Sequence, residues 1–253
     1  MNVTCDFLGR TGNMLFQLAA MIGYCSKHGG NWGIPVGYRH KTIYNYWPHL
    51  PLYRGRSLPV WAEHSFEYTE IPKHDKGVKI HGFFQSLKYF EHCQDEVRHW
   101  IRLKETPIER VGIHIRRGDY VSMPDNFPPI TLKYITESIS HFVSIGYKKF
   151  LIFSDDLQWC KTYFEHSYIL RDLGLAFEFS EGRNEYEELS LMASCEHNII
   201  SNSSFSWMAA WYNTNKNKIV ISPSKETWFG EKNGNFKMTK DLIPNEWIQI
   251  HTR

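Results

Sequence analysis

The sequence predicts an α/β protein built on a parallel, doubly wound sheet, and three observations carry that prediction. Apolar strand-like runs alternate with helical patterns through the second half of the chain. The run Val111-Gly112-Ile113-His114-Ile115 stops abruptly at Arg116-Arg117-Gly118-Asp119-Tyr120. Near the start, Gly9-Arg10-Thr11-Gly12-Asn13 separates a short apolar stretch from Leu15, Leu18, Ala19 and Ile22, which recur at helical spacing. Open sheets of this class bind ligands outside the carboxyl ends of their strands, so His114, Arg116 and Arg117 read as groups delivered to a cleft. An arginine fork also matches diphosphate oxygens in a way that lysine cannot. Two other readings of the same residues stand beside this one: a solvated cationic patch, and an Arg-Gly-Asp adhesion tripeptide at 117–119.

Taken in order, Cys5 to Leu8 predicts a strand, Gly9 to Asn13 a glycine turn, and the following pattern a helix to about His28. Glycines at such a turn let backbone amides approach an anion at the helix N-terminus, although βα turns use them structurally as well. From Gly29 to Lys76, breakers at Pro35, Pro48, Pro51 and Pro59 predict short strands and loops, with Trp47, Tyr53 and Trp61 as sugar-stacking candidates or core residues. Val78 to Gln85 reads as a strand entering a turn, and Leu87 to Ile101 as a helix. The polar stretch Arg102 to Pro107 marks a domain crossover near Thr106. Beyond the central strand, a helix is expected over Leu132 to Ile145, closed by Gly146, then a strand over Lys149 to Ser154. Asp155 and Asp156 follow, one of them as the cap of a helix through Trp159 and Phe164. A strand at Phe177-Glu178-Phe179, a helix over Glu185 to Ser194, a strand at Asn198-Ile199-Ile200, a hydroxyl-capped helix over Trp207 to Tyr212 and a strand over Lys218 to Ser222 complete the alternation.

Composition narrows the function classes. The 253 residues are 42% hydrophobic, enough for a real core in one large domain or two small ones. A net charge of +2 calls for neither nucleic acid nor an anionic membrane surface, so any basic site is local. Nine Trp among 15% aromatic residues suit stacking on a sugar or base, and suit an aromatic core equally. Five scattered cysteines without a CxxC pair suggest neither a disulfide framework nor a zinc site, and point to a reducing compartment. No stretch approaches the ~20 apolar residues of a membrane span, and no signal-peptide pattern opens the chain. A soluble, cytoplasmic protein is the expectation, with the sequons at Asn2 and Asn202 incidental.

Four ordered blocks carry a resemblance. His114 to Tyr120 is similar to the HxRRGDY signature of glycosyltransferase family eleven, the α-1,2-fucosyltransferases. Gly9 to Ala19 resembles that family's GxxGNQMFQxA, Gly82 to Phe90 its GFFQSxKYF, and Leu189 to Trp211 its DLxLMSxCxHxIIxNSSFSWWxAW. The chain departs from these patterns with Met14 for glutamine, Glu188 for aspartate and Met208 for a second tryptophan.

The resemblance implies a GT-B architecture of two Rossmann-like halves with the donor cleft between them. Residues 1–106 would form the acceptor-side half and residues 107–253 the GDP-fucose-binding half. It implies inverting transfer of fucose from GDP-fucose to a galactose hydroxyl of an acceptor glycan, with no metal and no cofactor beyond the donor substrate. By similarity, His114 and Glu188 would recognise guanine, Asp155 or Asp156 would lie near the nucleoside, and Ser203, Ser204 and Phe205 would bind the diphosphate at a helix N-terminus. Asn13 would face the leaving phosphate from the other half. Charge develops on the β-phosphate as the sugar leaves, and without a metal the protein must supply cations and aligned N–H groups; Arg116 is the candidate cation. The general base is Asp119 or Asp125, and Asp119 could equally hold Arg117 in position. Two other classes remain: a GDP-sugar transferase of different acceptor linkage, and a non-catalytic nucleotide- or glycan-binding relative.

Overall fold

The computed structural model describes every residue except 38–40, 105, 168–169, 171–172, 237 and 253. It is an α/β chain whose sheets are parallel throughout the described pairings. Two units emerge: Met1–Arg102 with Met238–Pro244, and Leu103–Lys237 with Asn245–Arg253. The division falls slightly before the expected crossover near Thr106, and the first unit takes back a segment from near the C-terminus. Asp241 anchors that segment by accepting the Tyr68 N–H at 3.0 Å and pairing with Lys88 Nζ at 2.6 Å.

In the first unit, strands β1 (Asn2–Cys5), β2 (Asn31–Trp32), β5 (Val60–Ala62) and β6 (Val78–His81) form a sheet of order β2-β1-β6-β5. A two-stranded parallel pair, β3 (Ile34–Pro35) and β4 (Leu52–Tyr53), stands beside it in sequence. Helix α1 (Thr11–His28) is mostly apolar and buried from Thr11 to Cys25 save for Asn13, as a helix enclosed by core must be. Its entry is locked by Gln17, whose buried carboxamide accepts the Leu8 N–H at 2.8 Å and donates to the Leu8 carbonyl at 3.0 Å. Gly9 between them has φ +74°, the left-handed region that glycine adopts without strain.

Several expectations for this unit are corrected. The first strand ends at Cys5 rather than starting there, because Phe7 is buried as a loop residue (2% exposed). Helix α2 (Lys41–Tyr46) interrupts the expected strands and loops. Leu87 to Ile101 is not one helix: two 3-10 turns, Leu87–Tyr89 and Glu91–Cys93, precede α3 (Gln94–Trp100), and Phe90 between the turns leaves helical geometry. Trp47 is a core residue, 1% exposed, donating its indole N–H to the Arg102 carbonyl at 2.9 Å.

In the second unit, β7 (Ile108–Ile115), β8 (Lys149–Ser154), β9 (Ala176–Phe179), β10 (Cys195–Ile199), β11 (Val220–Pro223) and β12 (Ile248–Ile250) form a parallel sheet of order β12-β11-β10-β7-β8-β9. Val111, Ile113 and Ile115 of β7 pack with Tyr134, Ile135, Ile139 and Phe142 of α5 (Leu132–Ser144) and with Cys160 and Phe164 of α6 (Leu157–His166). Of the alternate positions, Gly112 lies beside Cys195 of β10, and His114 meets Phe205 of α8 (Ser204–Tyr212), the helix that packs with α7 (Glu185–Ala193) on the opposite face. The sheet is therefore doubly wound. β12 had no counterpart in the sequence reading, and β11 starts and ends later than expected, absorbing Pro223. All five cysteines are buried free thiols. Among the described residues, no helix is long and apolar enough to cross a membrane.

Candidate active site

The strand order creates a switch point. From β7 the chain proceeds through β8 to β9 on one side, then returns to β10 beside β7 and proceeds through β11 to β12 on the other. The crevice outside the carboxyl ends of β7 and β10 is where open α/β sheets bind ligands. Because the strands are parallel, Arg116, Asp155, Ser180 and Ser201 all leave the sheet at this one edge.

Arg116 and Arg117 each find their own carboxylates there. Arg116 Nη1 pairs with Asp155 Oδ2 at 2.8 Å, and its Nη2 with Asp119 Oδ1 in the short helix α4 (Gly118–Ser122). The guanidinium also lies 5.4 Å from the Tyr120 ring centre. Arg117 turns the other way, with Nε 3.0 Å from Asp156 Oδ2 and its guanidinium 3.9 Å from the Trp159 ring centre. Asp119 thus grips Arg116, not Arg117 as the sequence allowed: the turn into α4 brings residue 119 back over residue 116. Asp155 also accepts the Arg117 N–H at 2.9 Å. A side chain at position 118 would place its Cβ 2.3 Å from Asp155 Oδ2, so glycine is required for this approach. The aspartates divide as expected, with Asp156 capping α6 by accepting the Trp159 N–H at 3.2 Å and Asp155 facing the arginines.

Toward β10, His114 Nδ1 lies 2.8 Å from Ser201 Oγ, and its ring is 5.6 Å from that of Phe205. Burial drives the His114 pKa down to about 4, so the ring is neutral at ordinary pH. Asn202 is a structural keystone: its side-chain amide donates to the carbonyls of Pro128 and Trp228, both at 2.9 Å, and its backbone carbonyl accepts the Tyr120 hydroxyl at 3.0 Å. It is buried, 3% exposed. Ser203 is the N-cap of α8, yet its side chain accepts no capping N–H. Ser203, Ser204 and Phe205 therefore present the positive end of a helix dipole beside the crevice.

Glu188 sits further along the edge, on α7, whose start is closed by an Asn184–Glu187 capping box. Its Oε1 accepts the Ser180 hydroxyl at 2.5 Å, and Arg183 reaches the same hydroxyl at 3.1 Å. Burial pushes its carboxyl upward, against the pull of Ser180 and Arg183. Ser180 follows β9, two strands from β7, or roughly 10 Å along the edge. Asn13 belongs to the first unit, where Gln85 Nε2 donates to its Oδ1 at 2.8 Å. The structure thus joins Arg116, Asp119 and Asp155 directly, joins His114 to Phe205, and places Glu188 and Asn13 in clusters of their own.

Sequence reasoning missed Ser201, Trp159 and Glu63. Ser201 and Trp159 act on residues of a neighbouring strand, and no local spacing announces such partners. Glu63 follows β5 and binds backbone N–H groups of Phe83 and Phe84, which leaves no pattern in its own surroundings.

The profile of glycosyl transferase family 11 matches residues 39–251. The α-1,2-colitosyltransferase of Escherichia coli is 31% identical over 196 residues, covering 68% of this chain and 62% of its own length. Galactoside 2-alpha-L-fucosyltransferase SEC1 of Bos taurus is 25% identical, covering 82% of this chain and 63% of its own. The chain thus spans under two thirds of the length of these relatives. A crystal structure of POFUT1 in complex with GDP-fucose aligns over 86% of this chain and 95% of that one, with a TM-score of 0.49 and 15% identity. With the family profile matched over most of its length, the chain belongs to glycosyl transferase family 11.

Proposed function

We propose that the chain transfers fucose from GDP-fucose to a galactose hydroxyl of an acceptor glycan, forming an α-1,2 linkage with inversion and without a metal. The observation that carries this reading is Arg116 at the switch-point edge, just after β7, with α8 beginning after the adjacent strand β10. Arg116 has N–H groups beyond the two used by Asp119 and Asp155, and these suit the β-phosphate oxygens of a departing nucleoside diphosphate. The N–H groups at Ser203, Ser204 and Phe205 would share that charge. Neutral His114, oriented through Nδ1 by Ser201, offers Nε2 to the guanine, and Glu188 offers a carboxylate oxygen to its N1–H and N2–H pair. Asp155 and Asp156 border the nucleoside side of the edge. Of the candidate bases, Asp119 is paired with Arg116; accepting the acceptor's proton requires that ion pair to open. Residues 1–106 would serve the acceptor and residues 107–253 the donor.

A second reading keeps the chemistry and changes the donor sugar, and the relative named as a colitosyltransferase favours it, being more similar than the one named as a fucosyltransferase. The test is incubation with GDP-fucose and a panel of galactosides, followed by mass spectrometry and linkage analysis. An α-1,2-fucosylated product is expected. Transfer of a different GDP-sugar in preference to fucose would move the assignment to the second reading, and binding without any product would make the chain a non-catalytic relative.

A further inference from the structure

We infer that Glu63 is a positioning residue of the transferase, holding the turn at 82–86 so that Gln85 fixes the carboxamide of Asn13. The inference rests on the proposed transferase activity for its kinetic consequence, and on the first unit alone for its geometry. Glu63 leaves the carboxyl end of β5, and its own N–H donates to the His81 carbonyl at 2.8 Å. Its Oε2 accepts the N–H groups of Phe83 at 2.7 Å and Phe84 at 3.0 Å, while Oε1 accepts the Tyr89 hydroxyl at 3.4 Å. The carboxylate therefore does for this turn what a capping side chain does for a helix: it satisfies consecutive N–H groups that the sheet cannot reach.

Three further features depend on it. A Cβ at Gly82 would lie 2.4 Å from the Glu63 Cβ and 2.7 Å from its Oε2, so the carboxylate reaches the turn only over a glycine. Phe84 has φ +53°, the left-handed region that a bulky residue occupies only when its surroundings enforce it. Its fully buried ring packs 5.1 Å from Tyr89 and 6.3 Å from Trp61, so both the ring and the N–H of this strained residue are held. The next residue, Gln85, is nearly buried and donates Nε2–H to Asn13 Oδ1 at 2.8 Å. With its oxygen thus engaged, Asn13 is turned to offer its amide N–H groups as donors. That amide nitrogen rests over Gly9, where a Cβ would stand 2.2 Å away. Two glycines and one buried carboxylate therefore set the direction in which Asn13 can donate.

Burial pushes the Glu63 carboxyl up to about 7, against the pull of the two N–H groups and the Tyr89 hydroxyl. The group is held where its ionisation is costly, as a residue with a fixed task would be.

The test compares Glu63→Ala, Glu63→Gln, Gln85→Ala and the Glu63→Ala/Gln85→Ala double variant in the full chain, measuring kcat, KM for donor and acceptor, GDP affinity and thermal midpoint. Misplacing a positioned group costs up to about a hundredfold in rate, so Glu63→Ala should lower kcat on the order of 30-fold or more. GDP affinity should stay within about twofold, because most of the proposed nucleotide contacts belong to the other unit, and the double variant should be no slower than Glu63→Ala because both act through Asn13. Glu63→Gln retains one acceptor oxygen and should fall between wild type and Ala, which keeps the test valid if the alanine variant does not fold. Normal kcat in folded Glu63→Gln and Glu63→Ala, or strictly additive losses in the double variant, would overturn the inference. Wild type without transferase activity would overturn the proposed function instead. The geometric link then stands or falls on the ¹⁵N side-chain amide resonance of Asn13, which should shift in Glu63→Gln and, if unmoved, refutes it.

Discussion

The carboxyl edges of the two sheets solve opposite problems. At the edge of β7 and β8, the charges of Arg116 and Arg117 are met by the carboxylates of Asp119, Asp155 and Asp156, all partly exposed. At the edge of β5 and β6, the single carboxylate of Glu63 is met by backbone N–H groups and a tyrosine hydroxyl. Side-chain ion pairs near solvent can exchange partners when an anion arrives. A buried carboxylate clamped on amides cannot exchange without unmaking the turn it holds. The first arrangement suits binding, the second suits positioning.

The largest expected effect breaks the first arrangement. Loss of one transition-state donor commonly costs about 3 kcal/mol, so Arg116→Ala should lose roughly a hundredfold or more in turnover with a much smaller change in GDP-fucose affinity. Steady-state kinetics with parallel calorimetry would show this, and uniform loss of affinity with turnover intact would reduce Arg116 to a binding residue.

A pH series sharpens the comparison, because each unit buries a group shifted into the range between pH 4 and 7, the two being of opposite kind. His114 falls from 6.5 to about 4 on folding, so its neutral form is fully accommodated above pH 6.5, and stability drains away as pH falls toward 4. The loss is on the order of 3 kcal/mol, and His114→Gln should lack it. Glu63 rises from 4.5 to about 7, so its contribution runs the other way, declining as pH climbs through that window, and Glu63→Gln should flatten that decline. Urea unfolding at pH 4.5, 6 and 7.5 for both variants against wild type would reveal two slopes of opposite sign; slopes of the same sign would contradict the burial assigned to one of them.

Smaller effects follow along the same edge. Glu188→Gln keeps the shape and removes the carboxylate, so discrimination of GDP from ADP should fall about tenfold, as for loss of one charged partner in a recognition site. Competitive binding of the two nucleotides measures it. Arg117→Ala should cost only about 1 kcal/mol of stability, the sum of a partly exposed ion pair and a stacked guanidinium. Its turnover should change less than that of Arg116→Ala; the reverse order would exchange the roles of the two arginines.

Most of the second unit was legible in the sequence because each strand there is a short apolar run ending at a polar turn. Lys149 to Ser154 and Phe177 to Phe179 fall where their patterns put them. The first unit resisted because its apolar residues do not stop where its strands do. Phe7 is buried in a loop just past β1, and helical spacing runs on through Leu87 to Ile101 although Ser86 and Phe90 break the backbone into separate turns. The arginine pair was legible in its place at the strand's carboxyl end and illegible in its pairing, since the partners at 155 and 156 follow the adjacent strand. Glu63 was invisible for a related reason: its partners are backbone N–H groups twenty residues on, which every sequence possesses.

Arg116→Lys tests the central claim most directly, because lysine keeps the charge at the end of β7 and loses only the fork. Single-turnover transfer from saturating GDP-fucose, with GDP affinity and thermal midpoint measured beside it, separates charge from geometry. If the guanidinium holds the leaving phosphate in a two-pronged contact, the lysine variant remains folded, binds GDP nearly as wild type does, and transfers little faster than the alanine variant. Near-normal transfer by Arg116→Lys would mean that a point charge suffices, and that the fork at the switch point is not what drives the departure of GDP.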